Sequence, residues 1–178
     1  MTARTVLQQA DISRALTRIS HEILESNHGG DDLVLLGIPT RGVLLAERIG
    51  GILEGLVPGS GITGALDVTM YRDDLSRQPT RTPSPTTVPP GGIDGKTVVL
   101  IDDVLYSGRT IRAALDALND LGRPRAVRLA VLIDRGHREL PIRADFVGKN
   151  LPSAVAERIN VKLIEIDGED LVEIAGDE

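Results

Sequence analysis

Between residues 11 and 27 the apolar side chains fall at Ile12, Ala15, Leu16, Ile19, Ile23 and Leu24. That three-and-four spacing lines one face of an amphipathic surface helix. The period then changes: Asp31 and Asp32 precede the aliphatic run LVLLGI, which ends in Gly37, Ile38 and Pro39, and residues 41–56 return to helical spacing. A further strand is expected over residues 65–70. The strongest strand signal covers residues 96–101, followed by Asp102, Asp103 and a helix through Leu121 that Gly122 and Pro124 stop. Residues 126–133 form the next strand, residues 134–150 are polar and irregular, and a last strand is expected over residues 160–166. Strands alternating with helices predict an α/β fold: a central parallel sheet with helices on both faces and a ligand site at the carboxyl ends of the strands. The 178 residues suffice for one domain. Within it, residues 71–95 are expected as a flexible loop, because RDDLSRQPTRTPSPTTVPPGG supports neither ladder nor helix. Residues 134–160 are expected as a small hood over the strand ends.

Composition narrows the functions that this fold can serve. The 41% hydrophobic and 26% charged fractions are those of a globular protein. Phe146, Tyr71 and Tyr106 are the only aromatic residues, which counts against a stacking platform for single-stranded nucleic acid. The absence of cysteine removes disulfides, zinc ribbons and thiol nucleophiles. A net charge of -6 argues against indiscriminate nucleic-acid binding and directs attention to local basic patches. No apolar run approaches the roughly 20 residues of a membrane span, and MTARTVLQQA lacks a signal peptide's apolar stretch, so a soluble, cytoplasmic protein is expected. GSGITG at residues 59–64 fits GxGxxG but follows a helix and leads into a strand, the reverse of a dinucleotide site, and no GxxxxGK[ST] exists. His21, His28 and His137 have no metal-ligand spacing.

Candidate chemistry concentrates in VVLIDDVLYSGRT, residues 98–110. Asp102 and Asp103 end a buried strand, and a small-residue turn then leads into a helix. Such a turn aims backbone N–H groups from about Leu105 to Thr110 at a phosphate, with Ser107 and Thr110 adding hydroxyls and Gly108 permitting close approach. The two carboxylates would repel that phosphate, so they suit sugar hydroxyls or the water shell of a magnesium ion. The alternative is a polar strand end with Ser107 as an ordinary N-cap. Arg41 stands at a helix start, where a cation is mildly unfavourable alone; a charged ligand accounts for it better than an ordinary surface position. Ile133, Asp134 and Arg135 end the next strand beside the same site and are candidates to read a base, with Arg135 either reaching the ligand or standing solvated. On the first helix Arg14, Thr17, Arg18 and His21 share a face away from the apolar stripe. That face is either a solvated surface with an Arg18–Glu22 pair or a binding surface, and charge reversal there should not disturb the core. His137, Arg138, Arg143 and Lys149 form a second basic cluster.

The string at residues 98–110 resembles the phosphoribosyl pyrophosphate signature of the type I phosphoribosyltransferases. Gly37, Ile38, Pro39, Thr40, Arg41 and Gly42 are similar to their pyrophosphate loop, and DVTMYRDDL at residues 67–75 to the start of their catalytic loop. With LTRISHEI near the N-terminus and DRGHRELPIRADFVGKN at residues 134–150, the chain resembles the PyrR family over nearly its whole length. These are pyrimidine-operon attenuation regulators with uracil phosphoribosyltransferase activity. The resemblance implies the type I fold and a substrate held by Thr40, Arg41, Asp102, Asp103, Val104, Leu105, Tyr106, Ser107, Gly108, Arg109 and Thr110. It implies catalysis by Arg41, Arg72, Asp102 and Asp103, with Mg2+ carried by phosphoribosyl pyrophosphate and by the two aspartates. It further implies uracil and UMP as ligands, and one RNA-binding face built from both basic clusters for a pyrimidine-operon mRNA leader. A homo-oligomer, dimer or higher, is expected. A purine-salvage transferase would share residues 102–110 without needing Arg14, Arg18 and Arg138, and a pure regulator would bind UMP and RNA without turnover. The proline-rich residues 77–92 are the least family-like.

Overall fold

The computed structural model describes residues 2–74 and 82–176. Strand β1 (Arg4–Gln8) runs directly into helix α1 (Gln9–Ser26). The junction is closed by Asp11, whose carboxylate accepts the Gln8 amide at 2.9 Å and so satisfies a donor that the helix start leaves open. There follow β2 (Leu33–Gly37), α2 (Arg41–Leu56), β3 (Thr63–Ala65), a 3-10 turn (Thr69–Tyr71), β4 (Thr97–Leu105) and α3 (Arg109–Asn119). The chain finishes with β5 (Ala126–Asp134), β6 (Phe146–Asn150), β7 (Arg158–Lys162), α4 (Ile164–Asp167) and β8 (Leu171–Ala175).

Five strands form a parallel sheet in the order β3-β2-β4-β5-β6. Alternate residues face opposite layers: Leu33, Leu35 and Val99 join the core with α1 and α2, and Val34, Leu36 and Val98 join the core with α3. With both faces covered, these strands read as unbroken aliphatic runs rather than as an alternation. The chain leaves β2 for β3 on one side and returns as β4 on the other. The carboxyl ends of β2 and β4 therefore part at a crevice, the place where open parallel sheets bind ligands.

Several boundaries differ from the sequence expectation. β4 continues through Asp102 and Asp103 to Leu105, because Asp102 and Val104 still pair with Val131 and Ile133 of β5. The strand expected over residues 65–70 falls earlier, where Thr63, Gly64 and Ala65 pair with β2. The stretch taken as irregular, residues 134–150, ends in the edge strand β6, which pairs with β5. The helix expected to reach Leu121 stops at Asn119. The second layer is a three-stranded antiparallel sheet, β1-β8-β7, built from the two ends of the chain, and of residues 134–160 only Arg158, Ile159 and Asn160 lie in it. Val161, Val172 and Ile174 anchor this sheet in the α1–α2 core. In the segment 71–95, residues 75–81 lie outside the described residues. Farther on, Thr87 exchanges two hydrogen bonds with Ala65, at 2.8 and 3.0 Å, and Ile93 is buried, so this part is fastened to the sheet. Among the described residues no helix is long and apolar enough to cross a membrane.

Candidate active site

The loop after β2 is drawn onto the end of β4. The Ile38 amide donates to the Ile101 carbonyl at 2.9 Å. A Cβ on Gly42 would collide with that same carbonyl oxygen and stand 3.3 Å from the Asp102 Cα, so only glycine lets the first turn of α2 rest there. Thr40 and Arg41 are thereby held beside Asp102, and the Pro39–Thr40 peptide is cis. Arg41 donates from Nη2 to Asp167 Oδ1 at 2.9 Å and from Nε to Oδ2 at 3.3 Å. Asp167 belongs to α4, which sequence reasoning left out of the site. The available signal was Arg41 and Arg48, seven residues apart on one helix face, together with the acidic cluster Glu165, Asp167 and Asp170.

Asp102 retains 9% of its surface exposed. Its Oδ1 accepts the Asp103 amide and Asp103 Oδ1 accepts the Val104 amide, each at 2.8 Å, and the two carboxyl groups are close enough to interact directly. Burial first, and the adjacent Asp103 charge second, push the Asp102 carboxyl well above its ordinary value, while Arg72 pulls it the other way. Hydroxyl donors or a cation beside the pair would offset that cost. Oxygen-only ligands suit Mg2+. Among the described residues no cluster of three or more His, Cys, Asp or Glu could hold an ion, so the pair fits an ion that brings ligands of its own from a substrate.

Beyond β4 the chain turns at Gly108, whose φ of 93° is left-handed, and enters α3. The Arg109 amide donates to Ser107 Oγ at 3.3 Å. The outer side of this turn is fastened: Ser107 O accepts the Glu139 amide at 2.9 Å, and Tyr106 O accepts Arg138 Nη1 at 2.8 Å. Arg72 arrives from the start of the long loop and donates from Nη2 to Thr110 Oγ1 at 2.8 Å. Arg109 is paired with Asp73 at 2.6 Å and Glu139 at 2.7 Å, which turns its guanidinium away from the crevice floor and onto the loop.

The residues ending β5 are more engaged than the sequence suggests. Arg135 is 8% exposed, with its guanidinium 4.4 Å over the Tyr106 ring and Nη2 donating to Ala154 O at 2.8 Å. A solvated surface arginine is thus excluded, and its buried Nε has no hydrogen-bond partner. The Arg135 amide donates to Leu105 O at 3.1 Å, tying β5 to the 105–110 turn beside Ile133. Asp134 accepts Arg138 Nη2 at 2.6 Å and the Gly136 amide at 3.0 Å.

The basic residues divide between two places. Arg14, Thr17, Arg18 and His21 are exposed on α1, and Lys149, on β6, is close enough to act electrostatically on Asp11. Arg14 pairs with Asp11 at 2.6 Å. Arg18 forms the Glu22 pair at 3.1 Å and also donates to Val147 O at 2.8 Å and Gly148 O at 2.6 Å. Those carbonyls lie on an edge strand, so Arg18 docks α1 onto β6 and covers open backbone acceptors. Reversing its charge would disturb packing, contrary to the expectation for this face. His137 meets Ser153 O and the edge of the Tyr106 ring, and Arg138 is consumed by Tyr106, Asp134 and Ile142; none of these bonds runs to α1. Arg143 is exposed.

Residues 3–162 match the phosphoribosyl transferase domain. The bifunctional protein PyrR of Leifsonia xyli subsp. xyli is 73% identical, over 98% of this chain and 97% of that protein. The bifunctional protein PyrR of Streptomyces coelicolor is 64% identical over 96% and 88%, and that of Mycobacterium tuberculosis 53% over 97% and 93%. Among solved structures, the hypoxanthine phosphoribosyltransferase of Trypanosoma cruzi superposes with a TM-score of 0.69 at 15% identity, over 98% of this chain and 97% of that one. The Staphylococcus aureus hypoxanthine phosphoribosyltransferase gives 0.67 at 18%, over 95% and 90%. Those two share the fold. The sequence relatives go further: this chain belongs to the PyrR family of phosphoribosyltransferase-domain proteins.

Proposed function

We propose that the chain transfers phosphoribose from phosphoribosyl pyrophosphate to uracil, giving UMP and pyrophosphate, and that it binds the mRNA leader of pyrimidine genes in response to UMP. The observation that carries the transfer reading is the seating of the 38–42 loop, with Thr40 and Arg41 in it, against Ile101 and Asp102 on the strand that leads into the 105–110 turn, in a chain of this family. Uracil N1 forms the new bond to ribose C1 and gives up its proton to water as the bond to pyrophosphate breaks, and the electron pair of that bond leaves with the pyrophosphate; no protein nucleophile is needed. Amides of Leu105, Tyr106, Ser107, Gly108, Arg109 and Thr110, with the Ser107 and Thr110 hydroxyls, hold the 5′-phosphate at the start of α3. The Asp102 and Asp103 carboxylates accept from the ribose hydroxyls and would hold a substrate-borne Mg2+, whose chemistry would be to neutralise charge on the leaving pyrophosphate. Val104 continues the β4 ladder that aims them. Arg41 receives the pyrophosphate, and Arg72 adds a second cation over the phosphate turn. Uracil is read at the end of β5 by Ile133, Asp134 and Arg135, with Arg135 held by Tyr106.

Uracil-dependent pyrophosphate release tests the reading directly. Turnover with uracil and none with hypoxanthine or guanine is expected, and the reverse preference would make this a purine-salvage enzyme. UMP binding without any turnover would make it a regulator alone. Arg41→Ala should lower kcat/KM at least tenfold, corresponding to about 1.4 kcal/mol of transition-state stabilisation. An unchanged value in the same assay would remove Arg41 from the site.

A further inference from the structure

Asp167 comes from the far end of the chain, yet it is the residue that fixes Arg41. The ion pair uses Nε and Nη2 of the guanidinium. Among the described residues no hydrogen bond engages Nη1, and the Arg41 side chain keeps 32% of its surface exposed. Arginine presents its donors in one rigid plane, so a carboxylate gripping one edge aims the other. Asp167 is itself held. Burial would raise its carboxyl, but the Leu163 amide, donating to Oδ2 at 2.8 Å, and Arg41 prevail and lower it.

The turn carrying Asp167 does not depend on Arg41 for its place. Arg48 lies two turns along the same face of α2 and pairs with Glu165 at 2.6 Å and Asp170 at 2.8 Å. Asp170 also accepts the Ile164 amide at 2.7 Å. Arg48 thus docks α4 on α2 as a separate anchor, which leaves the Arg41–Asp167 pair free for another task.

We propose that Asp167 is a positioning residue of the transfer reaction, gripping one edge of Arg41 so that the free edge faces the crevice before pyrophosphate arrives. The proposal rests on the reading of Arg41 as a pyrophosphate contact. Ordering a long arginine side chain in advance removes that entropy from the binding step. The same carboxylate also partly neutralises the cation. If neutralisation outweighed ordering, removal of Asp167 would tighten binding, so the sign of the effect decides between them.

The test compares Asp167→Asn, Arg41→Ala and the double variant in steady-state kinetics, with melting curves on each sample. Asp167→Asn should raise the KM for phosphoribosyl pyrophosphate and the inhibition constant of pyrophosphate together, by about three- to tenfold, with the KM for uracil unmoved. Asp167→Glu should recover part of the loss. The double variant should be no worse than Arg41→Ala, because Asp167 acts only through Arg41. Normal or tighter binding in Asp167→Asn beside an impaired Arg41→Ala would overturn the proposal while leaving the site intact. Additive losses in the double variant would also overturn it, by showing a general structural role. An unimpaired Arg41→Ala would instead overturn the reading of the site on which the proposal stands.

Discussion

Replacing Asp102 and Asp103 together by Asn will abolish UMP synthesis and leave the protein folded, and Asp102→Asn alone will raise the melting temperature at neutral pH. The two parts share a cause. Asp102 is 9% exposed, and burial and the neighbouring Asp103 raise its carboxyl well above the ordinary 3.8. A carboxyl whose folded value is raised destabilises the fold once pH exceeds the unfolded value, and the deficit grows until pH passes the raised folded value. Below about pH 3.8 the group is protonated in both states and the deficit vanishes. Asn keeps an oxygen to accept the Asp103 amide, so the backbone arrangement at the end of β4 survives. The gain for Asp102→Asn should therefore be present at pH 7 and shrink toward pH 3.8. Activity moves the opposite way, because an amide neither neutralises charge nor accepts from both ribose hydroxyls as a carboxylate does. A loss of at least ~100-fold in kcat is expected, the scale of removing one preorganised electrostatic contact. Near-normal turnover in the double variant would displace the ribose from this pair, and a lower melting temperature for Asp102→Asn would refute the burial argument.

That pair was legible in the sequence because it follows the most regular aliphatic run in the chain, and the crevice was legible because alternating strands and helices dictate a parallel sheet. The elements that escaped are those whose stability is non-local. β1 and β8 pair residues such as Arg4 and Ile174, from opposite ends of the chain, and strands of five residues carry too few positions for a period to show. β6 hid inside a polar stretch because it is an edge strand, with only Phe146 buried. Side-chain partners were legible only within a helix: the Arg18–Glu22 pair follows from spacing, while the Asp167 grip on Arg41 and the Arg18 bonds to β6 require the tertiary fold. For the same reason Arg138 counted in the basic cluster expected to face RNA, although it is committed to Tyr106, Asp134 and Ile142.

Arg14→Glu and Lys149→Glu will each weaken binding to a pyrimidine-operon leader RNA by about tenfold or more and leave UMP synthesis intact. Arg18→Glu is less suited to this test, because Arg18 docks α1 on β6 and its reversal would lower the melting temperature along with any RNA affinity. Among the described residues Arg14 pairs with the neighbouring Asp11, at 2.6 Å, and 71% of its side chain is exposed. Lys149 is exposed on β6 beside the same helix. Each change removes one phosphate-neutralising cation and adds repulsion, and the dependence of log K on log salt should become shallower by about 0.7 to 0.9 for each phosphate left without its cation. Specificity would then come from unpaired loop or bulge bases, since side chains do not read the deep groove of an A-form duplex. UMP should tighten RNA binding in the parent protein, and linkage requires RNA to tighten UMP by the same factor. In either variant that factor should survive while overall RNA affinity falls, because neither residue belongs to the crevice at the ends of β2 and β4. Gel-shift titrations at two salt concentrations, with and without UMP, read all of these quantities. Undiminished affinity in both variants would move the RNA site off α1 and β6, and loss of UMP synthesis in either would show that the change reached the crevice.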